Sequence, residues 1–134
     1  MQLAIQASPA VKTTLWAGRI LSALAILFLL FDSVIKVIQH PEAVRPTVEL
    51  GYPAGAVLVI GLVQLICLAV YVLPRTAVLG AILLTGYLGG AVATQLRADG
   101  EPFTILFPII IGAMIWGGLF LRNARLRDLL LADH

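Results

Sequence analysis

Two ionisable side chains, Asp32 and Lys36, lie four residues apart inside an otherwise apolar stretch at residues 15–38. An ionisable group at membrane depth costs roughly 2.5 to 3.5 kcal/mol on insertion scales, so such groups usually face a partner, a cavity or a substrate path. Asp followed by Lys at i+4 is also the favourable order for an ion pair within one helix. The pair therefore predicts either an ion-pair lock inside a helical bundle or part of a polar ligand site.

The helices that must position this pair are indicated by composition. The chain has 134 residues, of which 60% are hydrophobic and 12% charged, and its mean hydropathy is +1.02. Four apolar runs, at 15–38, 53–73, 76–96 and 103–121, are each long enough to cross a hydrocarbon core about 30 Å thick. The first run is too long for the apolar region of a signal peptide, so we expect it to be retained. The sequence predicts one all-α domain, an integral membrane four-helix antiparallel bundle.

Basic residues predict the orientation of this bundle in the cell membrane. Six of the nine fall on the side of the termini and the second loop, which favours a multi-pass protein with both termini cytoplasmic. Aromatic residues near the predicted inner helix ends agree with this orientation, since such residues form interfacial belts. The net charge is only +2 and no basic module lies outside the spans, so we expect no nucleic-acid partner. The six basic residues are Lys12, Arg19, Arg75, Arg122, Arg125 and Arg127, and the aromatic ones are Trp16, Tyr71, Trp116 and Phe120.

A polar pocket is predicted in the outer half of the bilayer. On the first span, steps of three and four residues place Ser22, Ala25, Leu29, Asp32 and Lys36 on one face, which should look into the bundle. The third span runs in the same direction, and helical side chains tilt toward the helix N-terminus, so its outer polar residues should reach the same depth. The candidate pocket residues are Asp32, Lys36, Tyr52, Tyr87, Thr94, Gln95 and Arg97, with Asp32 and Lys36 as the catalytic candidates.

Small and uncharged polar residues inside the spans predict contacts between helices. Gly86, Gly90 and Thr94 have the small-xxx-small spacing, which favours close helix packing, with a substrate groove as the alternative. Ala113 and Gly117 repeat the spacing on the fourth span. Gln64, in the middle of the second span, is expected to form an interhelical hydrogen bond.

Few residues could hold a cofactor. The two histidines, His40 and His134, fall on opposite sides of the predicted membrane, so they cannot jointly ligate haem or zinc. Cys67 is the single cysteine, which excludes an intramolecular disulfide and favours a buried apolar role. We therefore expect no metal site and no evident cofactor.

These motifs resemble the DoxX-like family of small four-span membrane proteins. The matching segments are FDSVIK at 31–36, ELGYP at 49–53, LPRTAVLG at 73–80, LTGYLGGAVATQLR at 84–97 and WGGLFLR at 116–122. The resemblance extends over about residues 14–130 and implies a four-span membrane fold. Relatives often carry His where this chain has Gln95, so a titratable imidazole is replaced by a neutral amide. The family name derives from a subunit associated with a thiosulfate:quinone oxidoreductase, and other relatives are linked to redox-stress complexes. The resemblance thus implies quinone as a ligand candidate and a redox-complex protein as a partner candidate.

Three functions follow as hypotheses. The first is an accessory membrane subunit that binds a lipid, a quinone or a partner protein through the polar pocket, with homo-oligomerisation left open. The second is a small membrane enzyme acting on an apolar lipid, quinone or isoprenoid substrate, with Asp32 as acid or base and Lys36, Tyr87 and Arg97 tuning it. The third, transport of a small solute or proton, ranks last because no polar path continues from Gln64 toward the cytoplasmic side.

Overall fold

The computed structural model describes residues 9–53 and 55–131, with side chains from Lys12 onward. The described residues form six α-helices and one short 3₁₀ turn, with no strand. The elements are α1 (Pro9–Val37), α2 (Pro41–Glu49), α3 (Ala56–Val72), the 3₁₀ turn (Pro74–Thr76), α4 (Ala77–Arg97), α5 (Pro102–Arg122) and α6 (Ala124–Leu131).

The four long helices α1, α3, α4 and α5 form a closed ring. Helix α1 packs against α3 and α5, and α4 packs against the same two helices, so α1 and α4 lie on a diagonal of the bundle. Neighbouring helices are antiparallel: Gln64 contacts Lys36 near the C-terminal end of α1, whereas Tyr71, further along α3, contacts Ser22 nearer the N-terminal end of α1. The predicted all-α four-helix bundle is confirmed.

The helix bounds follow the predicted spans with two exceptions. Helix α1 begins at Pro9 rather than near residue 15, because a proline needs no N–H partner in the first turn of a helix. Helix α3 begins at Ala56 rather than Pro53, and its 17 residues span about 25 Å, near the lower limit for crossing a membrane. Three longer segments, Lys12–Val37, Pro74–Arg97 and Pro102–Arg122, are long and apolar enough to cross.

Two short helices were not predicted from the sequence. Helix α2 lies between the first two predicted spans: Pro41 occupies its first turn, and the backbone N–H of Glu42 donates to His40 Nδ1 at 3.1 Å. Helix α6 follows α5 directly, with the N–H of Leu126 donating to Asn123 Oδ1 at 3.1 Å. The end of the bundle that carries α2 is called the α2 end below, and the opposite end is called the α6 end.

The bundle has a buried interior and an apolar outer surface. Ser22, Ala25 and Leu29 are at most 4% exposed, which confirms the inward face predicted for the first span. On the opposite faces, large apolar side chains such as Phe31 and Ile66 are more than 60% exposed, as expected where hydrocarbon rather than water surrounds a helix. The expectation that Tyr71 joins an aromatic belt is wrong: its side chain is fully buried in the core, because its hydroxyl has partners there.

Glycines allow the helices around α1 to approach closely. A Cβ on Gly61 of α3 would lie 2.7 Å from the Cβ of Lys36, and a Cβ on Gly18 would lie 2.7 Å from the backbone oxygen of Gly118 on α5. Both separations are shorter than any normal carbon contact, so these two interfaces require glycine. Gly61 allows α3 to lie against the segment of α1 that carries the charged pair, and Gly18 allows α1 to lie against α5.

Candidate functional site

Four polar side chains, Asp32, Lys36, Gln64 and Tyr87, form one hydrogen-bonded network in the bundle. Lys36 Nζ donates to Asp32 Oδ2 at 2.6 Å, to Gln64 Oε1 at 3.1 Å and to Tyr87 Oη at 2.9 Å. The ion pair predicted within α1 is therefore confirmed. Because Lys36 lies on α1 and Tyr87 on α4, its ammonium group links the two diagonal helices. We call this set of four residues the polar network.

The polar network satisfies its own donors. An ammonium group has three N–H donors, and each has an acceptor here. Tyr87 Oη donates to Gln64 Oε1 at 2.9 Å, and Gln64 Nε2 donates to the backbone oxygen of Leu29 at 3.2 Å. The interhelical hydrogen bond predicted for Gln64 is thus confirmed. Gln64 and Tyr87 are the central residues of α3 and α4, so the network lies at mid-bundle depth.

Arg97 does not take part in this network. Its Nη2 donates to the backbone oxygen of Leu50 at 3.2 Å, at the α2 end. Arg97, which was predicted to lie in one pocket with Asp32 and Lys36, is therefore separate from them, because it lies at the last turn of α4 whereas the network lies at its middle. The charge of Arg97 instead holds the α2–α3 link against α4.

A groove of about 420 Å³ runs from the polar network to the α2 end, between α2, α3 and α4. We call it the α4 groove. Of the seven residues predicted for the polar pocket, it brings together Lys36, Tyr52, Tyr87, Thr94 and Gln95, whereas Asp32 and Arg97 are not part of its lining. Its other lining residues are Thr47, Leu50, Val59, Ile60, Val63, Gly86, Gly90 and Ala91.

The glycines on α4 open this groove rather than pack against a helix. A Cβ added to Gly86 or Gly90 would meet no atom within 4 Å. The prediction that these glycines mediate close packing is therefore wrong for this chain, and they form part of the groove wall instead. A glycine row leaves room for another group to approach the helix backbone, which is the same property that close packing uses.

Hydrogen-bonding groups lie at the α2 end of the groove. The hydroxyls of Tyr52 and Thr94 are 2.9 Å apart, and Thr94 Oγ1 donates to the backbone oxygen of Gly90 at 2.8 Å. Tyr52 is then the donor to Thr94, and its own oxygen can accept another bond. Within the part of the chain that the structure describes, the side-chain amide of Gln95 has no hydrogen-bond partner. The groove therefore offers one free amide and one phenolic oxygen to a ligand.

A second buried polar cluster, which the sequence analysis did not predict, lies toward the α6 end. Tyr71 Oη donates to the backbone oxygen of Ile115 at 2.9 Å and lies 3.0 Å from Ser22 Oγ. Arg122 Nε donates to Ser22 Oγ at 3.0 Å, and its guanidinium group stacks over the Tyr71 ring. The sequence signal was the inward placement of Ser22, but its partners depend on how α3 and α5 pack. This cluster connects α1, α3 and α5.

No metal site is formed by residues 9–53 and 55–131, since no three side chains of His, Cys, Asp or Glu come together there. His134 lies outside the described residues. Cys67 is buried and has a free thiol.

Comparison with known proteins gives one match. A model of the DoxX-like family matches residues 20–118, which include the polar network and the α4 groove. No curated protein and no solved structure matches the chain.

Proposed function

Given that the chain belongs to the DoxX-like family of membrane proteins, we propose that it binds one apolar ligand with a carbonyl-bearing or hydroxyl-bearing head, of the lipid or quinone class, in the α4 groove. The observation that carries this proposal is the open glycine wall at Gly86 and Gly90, next to a free hydrogen-bonding amide at Gln95. In this proposal the protein acts as an accessory subunit that holds the ligand for a redox partner in the membrane.

The size and chemistry of the groove support a ligand head with the first part of its chain. Small-molecule sites usually have volumes of about 300 to 1,000 Å³, with mostly apolar walls and a few polar groups that orient the ligand. The α4 groove, at about 420 Å³, lies within this range. Val59, Ile60 and Val63 provide an apolar wall on α3, against which a hydrocarbon chain would lie.

Gln95 is the residue best suited to bind the head of the ligand. Its amide nitrogen can donate to a carbonyl oxygen, and the nearby Tyr52 oxygen can accept from a hydroxyl. Glycine at position 100 leaves room for this amide, because a Cβ there would lie 2.5 Å from Gln95 Oε1. A histidine at this position, as in many relatives, would also provide an N–H donor. Gln95 therefore preserves the hydrogen bond while removing the titration.

The polar network has a positioning role in this proposal. Its ammonium donors are all used within the protein, so Lys36 orients Tyr87 at the inner end of the groove. Asp32 is held by Lys36 and does not line the groove. This placement favours ligand binding over acid–base chemistry by Asp32.

Blocking the groove tests the proposal. Gly86→Leu and Gly90→Leu place a side chain in the groove, and we expect each to weaken binding of a short-chain quinone or a diacylglycerol by about tenfold or more, which corresponds to about 1.4 kcal/mol. Gly89→Leu is the matched control: its Cβ also meets no atom within 4 Å, but Gly89 does not line the groove. Binding is measured by native mass spectrometry of detergent-purified protein, with circular dichroism to verify folding. Equal affinities in folded Gly89→Leu, Gly90→Leu and wild-type proteins would refute the proposed site.

We also propose that the protein is a multi-pass protein of the cell membrane with both termini cytoplasmic. The excess of basic residues at the α6 end supports this orientation, which would open the α4 groove toward the outer half of the bilayer.

A further inference from the structure

A second cleft, of about 470 Å³, lies at the α6 end, where the 3₁₀ turn between α3 and α4 faces α6. Arg75 contributes from the turn, and Asn123 and Arg125 contribute from the start of α6. Pro74, Val78, Leu126 and Leu129 form the apolar part of its lining. This cleft shares no lining residue with the α4 groove, which runs toward the opposite end of the bundle, and plays no part in the proposed function above.

The position of α6 is fixed by hydrogen bonds to α5. Arg127 Nη1 donates to the backbone oxygens of Phe120 at 2.9 Å and Leu121 at 2.5 Å, which belong to the last turn of α5. Asn123 accepts from the N–H of Leu126, whose side chain is buried. Because these contacts hold α6 against the bundle, they place Arg125 across the cleft from Arg75.

Two positive charges of the cleft have no ion-pair partner among the described residues. Within residues 9–53 and 55–131, neither Arg75 nor Arg125 forms a hydrogen bond or an ion pair, and both are exposed. In contrast, Arg122 and Arg127 have partners inside the protein. Arginine binds phosphate well, since its planar guanidinium group presents several N–H donors to phosphate oxygens.

The surroundings of the cleft indicate a lipid surface. Leu129 and Leu131 on α6 are each 70% exposed, which is unfavourable in water but not in an interfacial or acyl environment. The cleft also lies beside the ends of α3, α4 and α5, where the apolar outer surface of the bundle ends. Basic pockets at the ends of membrane helices are typical binding sites for anionic lipid heads.

We propose that Arg75 and Arg125 together bind the phosphate of one anionic phospholipid, whose acyl chains lie against Val78 and Leu129. The phospholipid then joins the α3–α4 link to α6 through its head group. Asn123 contributes its side-chain amide to the same polar surface of the cleft.

Lipid retention by the full-length protein tests this proposal. Wild-type protein in nanodiscs of phosphatidylglycerol and phosphatidylcholine in equal amounts is ejected into a native mass spectrometer, and we expect it to retain phosphatidylglycerol preferentially. The double variant Arg75→Gln/Arg125→Gln should lower this preference by about tenfold or more, since each basic residue near an anionic surface contributes about fivefold in affinity. The variant Lys12→Gln/Arg19→Gln removes the same amount of charge on α1, at the same end of the bundle, and should keep the wild-type preference.

Several outcomes would contradict the proposal. Equal retention of both lipids by wild-type protein would exclude a specific anionic site, and equal losses in both double variants would show a general charge effect. If inorganic phosphate alone bound the detergent-purified protein as tightly as the phospholipid, the ligand would be free phosphate. Gly86→Leu should not change the preference for phosphatidylglycerol, because Gly86 does not line this cleft. The phospholipid proposal can therefore fail while the groove proposal stands, and the reverse.

Discussion

Lys36 makes three side-chain hydrogen bonds in the interior of the bundle. Its ammonium group lies at mid-bundle depth and contacts residues from α1, α3 and α4. Desolvation of a charge is costly, and the cost is offset only where a counter-charge and further acceptors are in place. The three acceptors around Lys36 provide that compensation. The same contacts fix the Tyr87 hydroxyl at the inner end of the α4 groove.

Removing one member of the ion pair should cost more stability than removing both. We expect Lys36→Met to lower the free energy of unfolding in detergent by about 3 kcal/mol, because Asp32 is left without its counter-charge. The double variant Asp32→Asn/Lys36→Met should lose much less, since no uncompensated charge remains. Unfolding by sodium dodecyl sulfate, followed by circular dichroism, measures both values. A loss in the double variant equal to the sum of the losses in Lys36→Met and in Asp32→Asn alone would contradict a coupled pair.

The sequence predicted this pair, and it placed Tyr87 in the same pocket, but it did not predict that Gln64 is a partner of Lys36 or that Arg97 is not. Spacing alone placed Asp32 and Lys36 on one helical face, since i and i+4 are neighbours in any helix. The contact of Lys36 with Gln64 and Tyr87 depends on the closeness of α3, which the glycine at position 61 allows. Arg97 lies outside the network because it is in the last turn of α4, whereas Tyr87 is at the middle of that helix. Local pattern therefore identified the charged residues, and three-dimensional packing decided their partners.

At the scale of the helix, glycines inside apolar spans cannot be told apart from the sequence, yet they lie in opposite environments. Gly61 lies against the Cβ of Lys36, whereas Gly86 faces open space. Spacing rules cannot separate these cases, because a glycine row permits close approach without specifying what approaches. Gly86 on α4 lines the α4 groove, whereas Gly61 on α3 packs against α1.

Alanine substitutions should reveal this difference directly. Gly61→Ala should lower the free energy of unfolding by about 1 to 3 kcal/mol, because the added Cβ forces α3 away from α1. Gly86→Ala should be neutral or stabilise the protein by up to about 1 kcal/mol, since alanine favours the helix and meets no neighbour. The same detergent unfolding assay applies to both variants. A loss at Gly86 equal to that at Gly61 would indicate that α4 packs against another chain or helix there.

The short helices α2 and α6 were missed for a common reason. Each has few residues and no long apolar run, so hydropathy does not identify it, and Pro41 and Pro46 made α2 look like a loop. A proline is tolerated in the first turn of a helix, where Pro41 lies. Both helices nevertheless contribute residues to a cavity, α2 through Thr47 and α6 through Arg125.

At the scale of the whole molecule, the two cavities lie at opposite ends of one bundle and differ in charge. The α4 groove has its only lysine neutralised by Asp32, whereas the cleft at the α6 end has two arginines without a counter-charge among the described residues. An arrangement of this kind suits a protein whose α6 end faces anionic lipid heads and whose groove admits an uncharged ligand from the bilayer. The distribution of basic residues predicts that the α6 end is cytoplasmic.

Reporter fusions test this orientation. We expect a green fluorescent protein fused after the last residue to fluoresce in a bacterial host, and an alkaline phosphatase fused there to be inactive, because the first reporter folds in the cytoplasm and the second requires an oxidising compartment. Inserting the phosphatase between Asp99 and Gly100, in the exposed α4–α5 link, should give the opposite result. The double variant Arg75→Glu/Arg125→Glu reduces the excess of positive charge at the α6 end. It should lower the fluorescence of the terminal fusion if positive charge sets the orientation. An active phosphatase at the C-terminus of the wild-type chain would reverse the proposed orientation and place the arginine cleft outside, while leaving the α4 groove intact.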